Sequence, residues 1–199
     1  MVTVGIDEVG RGCWAGPLVA AAVILNGPLI GVADSKVLSS QRRTQLAKTI
    51  KASADAVGIG WVAPSFVDMY GLTLSVQRAM QQALAAIKFP YDEIIIDGNY
   101  NYLPNESKAR FIVKADTSVA AVSAASIVAK VARDDFMTLS AKAYPEYGFE
   151  SHKGYGTTHH LLRLKQYGVC AIHRKSVKPV KSIVEAQRNL NDMKVSGSL

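Results

Sequence analysis

A mixed β-sheet flanked by helices, followed by a basic helical extension, is the architecture this sequence predicts. Three observations carry that reading. Short apolar runs of strand length recur as far as Val113, helical stripes lie between and after them, and the surplus positive charge falls in the last quarter of the chain.

Val2, Val4 and Ile6 alternate with other residues, as one face of a strand does. Leu18 to Leu25 is a continuous apolar run, and Val57–Val62 is another, interrupted by Gly58 and Gly60. Ile94–Ile96 and Phe111–Val113 are short apolar runs that read as buried strands. Ser39 or Ser40 is placed to cap a helix reaching about Ala52, with Leu46 and Ile50 on one face. Leu72, Val76, Met80, Leu84 and Ile87 form a helical stripe that stops before Phe89-Pro90. Thr117 to about Ala143 is Ala-rich, with Ile127, Val128 and Val131 on its apolar side. Thr157–Tyr167 is a further helix stopped by Gly168, and Val180–Leu190 is the last. The order reads as three strands, two helical stretches, two strands, then only helices. The early strands are close enough to be hairpin neighbours, and the later ones need crossovers. Residues 1–145 are thus expected to form the core, 146–192 a basic helical extension packed on it, and 193–199 a flexible tail.

The 199 residues are 49% hydrophobic, enough to bury a core without a partner chain, and a monomer is expected. Cys13 and Cys170 have no metal-ligand spacing and suggest no secreted disulfide scaffold. The start lacks the regions of a signal peptide, and no run approaches the roughly 20 apolar residues of a membrane span. A soluble protein of the cytoplasm, with no membrane partner, is the expectation. The formal charge is +7. Residues 1–150 carry fourteen Lys and Arg against fourteen Asp and Glu, whereas residues 151–199 carry nine against Glu185 and Asp192 alone. A basic segment on a neutral body is the footprint of a polyanion binder, although charge alone is equally compatible with a solvated face.

Four carboxylates stand at repeated positions. Asp7-Glu8 follows the first predicted strand and precedes Gly10-Arg11-Gly12. Adjacent strand side chains point to opposite faces, so these two acids converge only if the strand ends or bends there. Asp97 ends the run Ile94–Ile96, and Asp116 follows Phe111–Val113 at the start of the long helix. Taken singly, these are an acidic turn, a turn Asp before Gly, and a helix cap. Taken together, three strands each deliver a carboxylate just beyond their end. Hard oxygen ligands without Cys or His suit Mg²⁺ or Mn²⁺ rather than zinc. Four neighbouring anions repel one another unless a cation is bound, and the chemistry that follows is phosphoryl transfer. Ser151 to Thr157 forms a basic, Gly-flanked loop in which Tyr155 is suited to stack on a sugar or base. Arg174, Lys175, Lys178 and Lys181 add phosphate donors, and Lys36 is a further candidate. His152, His159, His160 and His173 make no recognised zinc spacing, and the adjacent His159 and His160 face apart on their helix.

Several stretches closely resemble ribonuclease HII: Gly5–Gly12, Asp34-Ser35-Lys36, Ile96–Asn99, Lys114-Ala115-Asp116, Ser123–Ile127, Ala129–Asp134 and His152–Thr157. They occur in family order from Gly5 to about Lys181. The resemblance implies an RNase H-like fold and endonucleolysis of the RNA strand of RNA–DNA hybrids, including ribonucleotides embedded in duplex DNA. It implies that Asp7, Glu8 and Asp97 are metal ligands and that Asp116 is the fourth active-site carboxylate, with Mg²⁺ or Mn²⁺ as cofactor. Gly10, Arg11 and Gly12 would read the 2′-hydroxyl through their backbone, and Tyr155 would stack on the neighbouring deoxyribose. Lys36, Arg174 and Lys175 would also bind substrate. The expected reaction is metal-aided attack of water on the phosphate 5′ to the ribonucleotide, leaving a 3′-hydroxyl and a 5′-phosphate. Cys13 departs from the pattern, since the family usually has Pro there, and the thiol either loosens the loop or is buried harmlessly. Three other readings compete. Ribonuclease HIII usually carries an extra N-terminal domain and has Lys where this chain has Arg11. A silent duplex-binding module would be expected to lose an acid. An integrase-like nuclease would match the carboxylates but not Gly10-Arg11-Gly12 with Tyr155.

Overall fold

A computed structural model describes residues 1–28 and 39–196 of the chain. Five strands, β1 (Thr3–Val9), β2 (Leu18–Ile24), β3 (Ala56–Val62), β4 (Glu93–Asp97) and β5 (Ala109–Ile112), form one sheet in the order β3-β2-β1-β4-β5. The sheet is mixed: β2 is antiparallel to β1 and β3, whereas β1, β4 and β5 run parallel. The helices are α1 (Ser40–Ser53), α2 (Pro64–Ala85), α3 (Ala115–Ser118), α4 (Ala120–Ala143), α5 (Phe149–His152), α6 (Thr158–Tyr167) and α7 (Lys178–Ser196). The first helix therefore lies between the second and third strands rather than after the third. Asp34-Ser35-Lys36, and with it the candidate Lys36, lies outside the described residues.

Two compact units are each assembled from three stretches of chain. Met1–Arg11, Leu18–Val62 and Leu72–Arg133 form the first; Gly12–Pro17, Ala63–Gly71 and the chain from Asp134 onward form the second. In the first unit β2 is hydrogen-bonded between β1 and β3 and buried along its whole length, so side chains on both of its faces are covered, which accounts for its unbroken apolar sequence. Val19, Ala21 and Val23 pack with Ala47 and Ile50 of α1 and with Ala124, Ile127, Val128 and Val131 of α4. Each large aliphatic side chain so buried contributes roughly 1.5–3 kcal/mol. Small residues let the helix come close: a Cβ on Gly5 of β1 would strike the backbone of Ala121 and Val122 in α4. Ser39 caps α1, its hydroxyl accepting from the Arg42 amide at 3.2 Å.

The helical stripe from Leu72 onward is the second half of α2. Its first half, from Pro64, was not visible in the periodicity, and Gly71 at φ 77° and ψ 173° kinks the two apart. The Ala-rich stretch is likewise two helices, because Val119 adopts an extended conformation between α3 and α4. In the second unit Met137, Tyr147, Phe149, Leu164 and Val180 pack with Ala15. Gly168 ends α6, as the sequence suggests, whereas Thr157 caps the helix rather than opening it, and α7 continues beyond Leu190 to Ser196. Cys13 and Cys170 are free thiols, and among the described residues no helix is long and apolar enough to cross a membrane.

Candidate active site

Because β1, β4 and β5 are parallel neighbours, their C-terminal ends share one edge of the sheet, where functional groups collect in α/β folds. The register pairs Ile6 with Ile96, so the next position in each strand sets Asp7 of β1 beside Asp97 of β4. Asp97 pairs in turn with Ile112, the last residue of β5. Just beyond it the chain enters α3, which carries Asp116. Ala115 of α3 packs with Ile95 and Val122, fixing this short helix against β4. Asp116 is inside α3 and buried, whereas Lys114, at φ 59°, occupies the cap position. The sequence placed Asp7-Glu8 after the first strand. Instead β1 continues through both acids on the β2 side, with Asp7 opposite Ala21 and Glu8 opposite Ala20, and its pairing with β4 is registered only to Ile6.

Asp7 is 7% exposed, and its carboxyl is pushed up to about 8. Burial is the main cause; the charges of Glu8 and Asp97 add to it, and hydrogen bonds from Ser126 and the Glu8 amide oppose it. Burial also raises Glu8, whose side chain is 9% exposed, against the pull of Arg11. Arg11 Nη1 donates to Glu8 Oε1 at 3.0 Å, and the Arg11 guanidinium lies 5.7 Å from the centre of the Tyr102 ring. Ser126 and Tyr102 are two site residues that sequence reasoning missed. Ser126 had a signal, since Ser123, Ser126, Lys130 and Arg133 form a polar stripe at helical spacing on the otherwise apolar part of α4 that runs to Arg133.

The donor set fits a divalent cation. All the ligand candidates are hard carboxylate oxygens, and Glu8 Oε2 and Asp97 Oδ1 are buried with no hydrogen-bond partner among the described residues. The side chains do not meet at one point: among the described residues no three His, Cys, Asp or Glu are arranged around a common point, and Glu8 is turned to Arg11 instead.

The substrate candidates divide between the two units. Gly10 has φ 94°, a conformation that a residue with a Cβ rarely adopts, and a Cβ on Gly12 would meet nothing. Tyr155 is 36% exposed, and its backbone forms an isolated β-bridge with Cys13. Cys13, where the family usually has Pro, is fully buried. Lys175 is exposed while its backbone amide is held by Asp68 Oδ2 at 2.9 Å. Arg174 is placed differently from a surface phosphate donor. It is 1% exposed, its Nε donates to the Gly16 carbonyl at 3.1 Å, and its amide donates to the Trp14 carbonyl at 2.8 Å. Three of the four histidines, His152, His160 and His173, are buried together, which their spacing did not reveal.

A five-stranded mixed sheet with helices about it, carrying acids at the ends of its parallel strands, defines the class as a nucleic-acid hydrolase of the RNase H-like fold. The family profile described as Ribonuclease HII matches residues 4–180. The chain belongs to the ribonuclease HII family and is a hydrolase, a ribonuclease H endonuclease. The Ribonuclease HII of Nitrosococcus oceani is 44% identical over 184 residues, which are 92% of this chain and 91% of that protein. The crystal structure of the ribonuclease H2 from Pyrococcus horikoshii OT3 superposes with a TM-score of 0.78 at 26% identity, covering 94% of this chain and 99% of that one. Bst-RNase HIII in complex with Mn²⁺ shares the fold, with a TM-score of 0.69 at 20% identity, over 94% of this chain and 70% of its own.

Proposed function

We propose that this chain cleaves RNA–DNA hybrids, and duplex DNA containing ribonucleotides, on the 5′ side of the ribonucleotide. Water is the nucleophile, and the products carry a 3′-hydroxyl and a 5′-phosphate. The observation that supports this most is the set of acids on neighbouring parallel strands, where Asp7 and Glu8 both feel Asp97 and where Glu8 Oε2 and Asp97 Oδ1 are buried with no hydrogen-bond partner among the described residues. Asp7, Glu8, Asp97 and Asp116 are the residues that would hold Mg²⁺ or Mn²⁺, in keeping with the Mn²⁺ in the Bst-RNase HIII structure. When bound, such an ion supplies a more acidic water and offsets charge on the phosphate.

The protein's own groups do the rest. Ser126 orients Asp7 by hydrogen bonding. Arg11 steadies Glu8, and with Gly10 and Gly12 it presents main-chain groups to the 2′-hydroxyl, the one group that separates RNA from DNA. Tyr155 stacks on the deoxyribose that follows. Lys175, Lys178 and Lys181 of the segment 146–192, and Lys36, bind phosphates, while Arg174 supports the Trp14–Gly16 backbone rather than substrate. The protein acts as a monomer in the cytoplasm. The test is cleavage of duplex DNA carrying one ribonucleotide, with Mg²⁺, with Mn²⁺ and with excess chelator. A metal-dependent cut at the phosphate 5′ to the ribonucleotide is expected. A cut on its 3′ side, or full activity in chelator, would reject the reading.

A further inference from the structure

His152, His160 and His173 lie in the second unit, and their hydrogen bonds fix where every ring proton sits. The Cys170 amide donates to His173 Nδ1 at 2.9 Å, so His173 carries its proton on Nε2. That N–H faces His160 Nε2 at 3.0 Å, which must accept. His160 therefore carries its proton on Nδ1, and Nδ1 donates to the Tyr155 carbonyl at 2.9 Å. His152 stacks on His160 with ring centres 4.3 Å apart. It accepts the Gly154 amide at Nδ1 and donates from Nε2 to the Tyr147 carbonyl at 2.8 Å. Only one set of neutral tautomers satisfies all of these bonds.

The cluster is not a metal site. The Cys170 thiol lies at His173 Nδ1, 3.1 Å away, on the ring edge opposite the one facing His160, so thiol and imidazoles share no common point. Nor is packing a sufficient reason for it, because aromatic or aliphatic side chains would fill the space without burying polar atoms. Fully satisfied buried networks instead specify one geometry. The chain of donors runs from Cys170 through His173 and His160 and ends on the main chain of Tyr155. That main chain is held elsewhere too, by the His152 carbonyl at its amide and by the Thr157 amide at its carbonyl. A Cβ on Gly154 would strike the Ala15 carbonyl, and one on Gly156 would strike the Trp14 ring, which itself lies 5.3 Å from the His160 ring. The backbone is thus clamped while the Tyr155 ring remains partly exposed.

We propose that His160, oriented by His173, is a positioning residue that sets the Tyr155 ring for its deoxyribose and so contributes to junction selectivity. This rests on the role given to Tyr155 above. Burial, together with the neighbouring rings, holds His160 and His173 neutral down to about 4 and about 3, as the relay requires.

The tautomers are read directly in the unaltered protein by long-range nitrogen–proton NMR of the imidazoles at neutral pH. His160 is expected as the Nδ1–H form, with His152 and His173 as Nε2–H forms. A His160 proton on Nε2, or on both nitrogens, would overturn the relay. His160→Asn keeps a donor near the Nδ1 position, whereas His160→Phe keeps the ring and loses the donor. His160→Phe should lower kcat/KM on a single-ribonucleotide duplex by about fivefold or more beyond its loss on a uniform RNA–DNA hybrid, and His160→Asn should restore most of that difference. Amide exchange at Tyr155–Thr157 should quicken in His160→Phe and not in His160→Asn. Equal losses on both substrates, in a background where Tyr155→Ala is selective, would overturn the positioning role. If Tyr155→Ala itself loses both activities equally, the stacking assignment fails, and with it the selectivity claim. The tautomers and the exchange pattern then decide the loop-clamping claim alone.

Discussion

Arg11 Nη1 lies 3.0 Å from Glu8 Oε1, which ties a proposed sugar-reading residue to a proposed metal ligand. The glutamate side chain is 9% exposed and the arginine 49%, so solvent screens only one partner well. Arg11 thereby supplies positive charge to a carboxylate that a metal would also use. Arg11→Ala should tighten Mn²⁺ binding to the free protein by up to about fivefold, the limit for a half-exposed pair worth about 1 kcal/mol or less. Isothermal titration with Mn²⁺ measures this. Weaker binding in the variant would mean that the arginine helps to build the site rather than competing for it.

Asp97→Asn removes one of the charges that push the Asp7 and Glu8 carboxyls up. Turnover should fall on the order of a hundredfold or more. The metal-free variant should melt no lower than the parent, because relief of repulsion offsets whatever the carboxylate contributed to packing. Calorimetry together with a cleavage assay checks both halves. A variant that retains full turnover would remove Asp97 from the site.

Much of this was legible in the sequence, for a physical reason. β2 lies between β1 and β3 with both faces covered, so both are apolar and the run Leu18–Ile24 is unbroken. Asp97 ends a short buried strand, where a charge has nowhere else to go. What escaped depends on residues distant in sequence meeting in space. His152, His160 and His173 come from α5, α6 and the loop before α7, and no spacing rule joins them. Arg174 looked like a surface cation because its burial depends on the carbonyls of Trp14 and Gly16, far away in sequence. The break at Val119 was hidden inside an Ala-rich stretch whose local propensity is helical throughout. Likewise, the bridge Cys13 makes with Tyr155 could not be read from Cys13 itself.

Burial lowers the folded-state values of His152, His160 and His173, and the latter two reach about 4 and about 3. Unfolded histidines take up protons near 6.5, before the folded ones do, so acid favours unfolding. Their contribution is complete above about pH 6.5 and is lost as pH falls toward 4 and below. The raised carboxyls of Asp7 and Glu8 act the other way, favouring the folded state as pH falls over the same range. The net drop in melting temperature between pH 7 and pH 4.5 should therefore be roughly 5–10 °C, less than the histidines alone would give. His160→Asn should flatten that slope. A slope unchanged by the substitution would show that other groups carry the acid sensitivity.

Lys175 and Lys178 are outside the buried core, whereas Arg174 is internal. Replacing both lysines with Gln should weaken duplex binding and reduce the slope of log affinity against log salt by roughly 2, about one for each phosphate no longer neutralised. Fluorescence anisotropy across a salt series in the absence of metal measures it. An unchanged slope would show that these side chains point away from the duplex. Arg174→Ala should act differently, lowering the melting temperature through loss of a buried hydrogen bond.

In the proposed reaction the carboxylates direct water, not the 2′-hydroxyl, at the phosphate. Cleavage of a single-ribonucleotide duplex in ¹⁸O-labelled water, followed by mass spectrometry of the ends, tests it most directly. One labelled oxygen on the 5′-phosphate, with an unlabelled 3′-hydroxyl on the other fragment, is the predicted result. A 2′,3′-cyclic phosphate, or a 5′-phosphate without label, would contradict it.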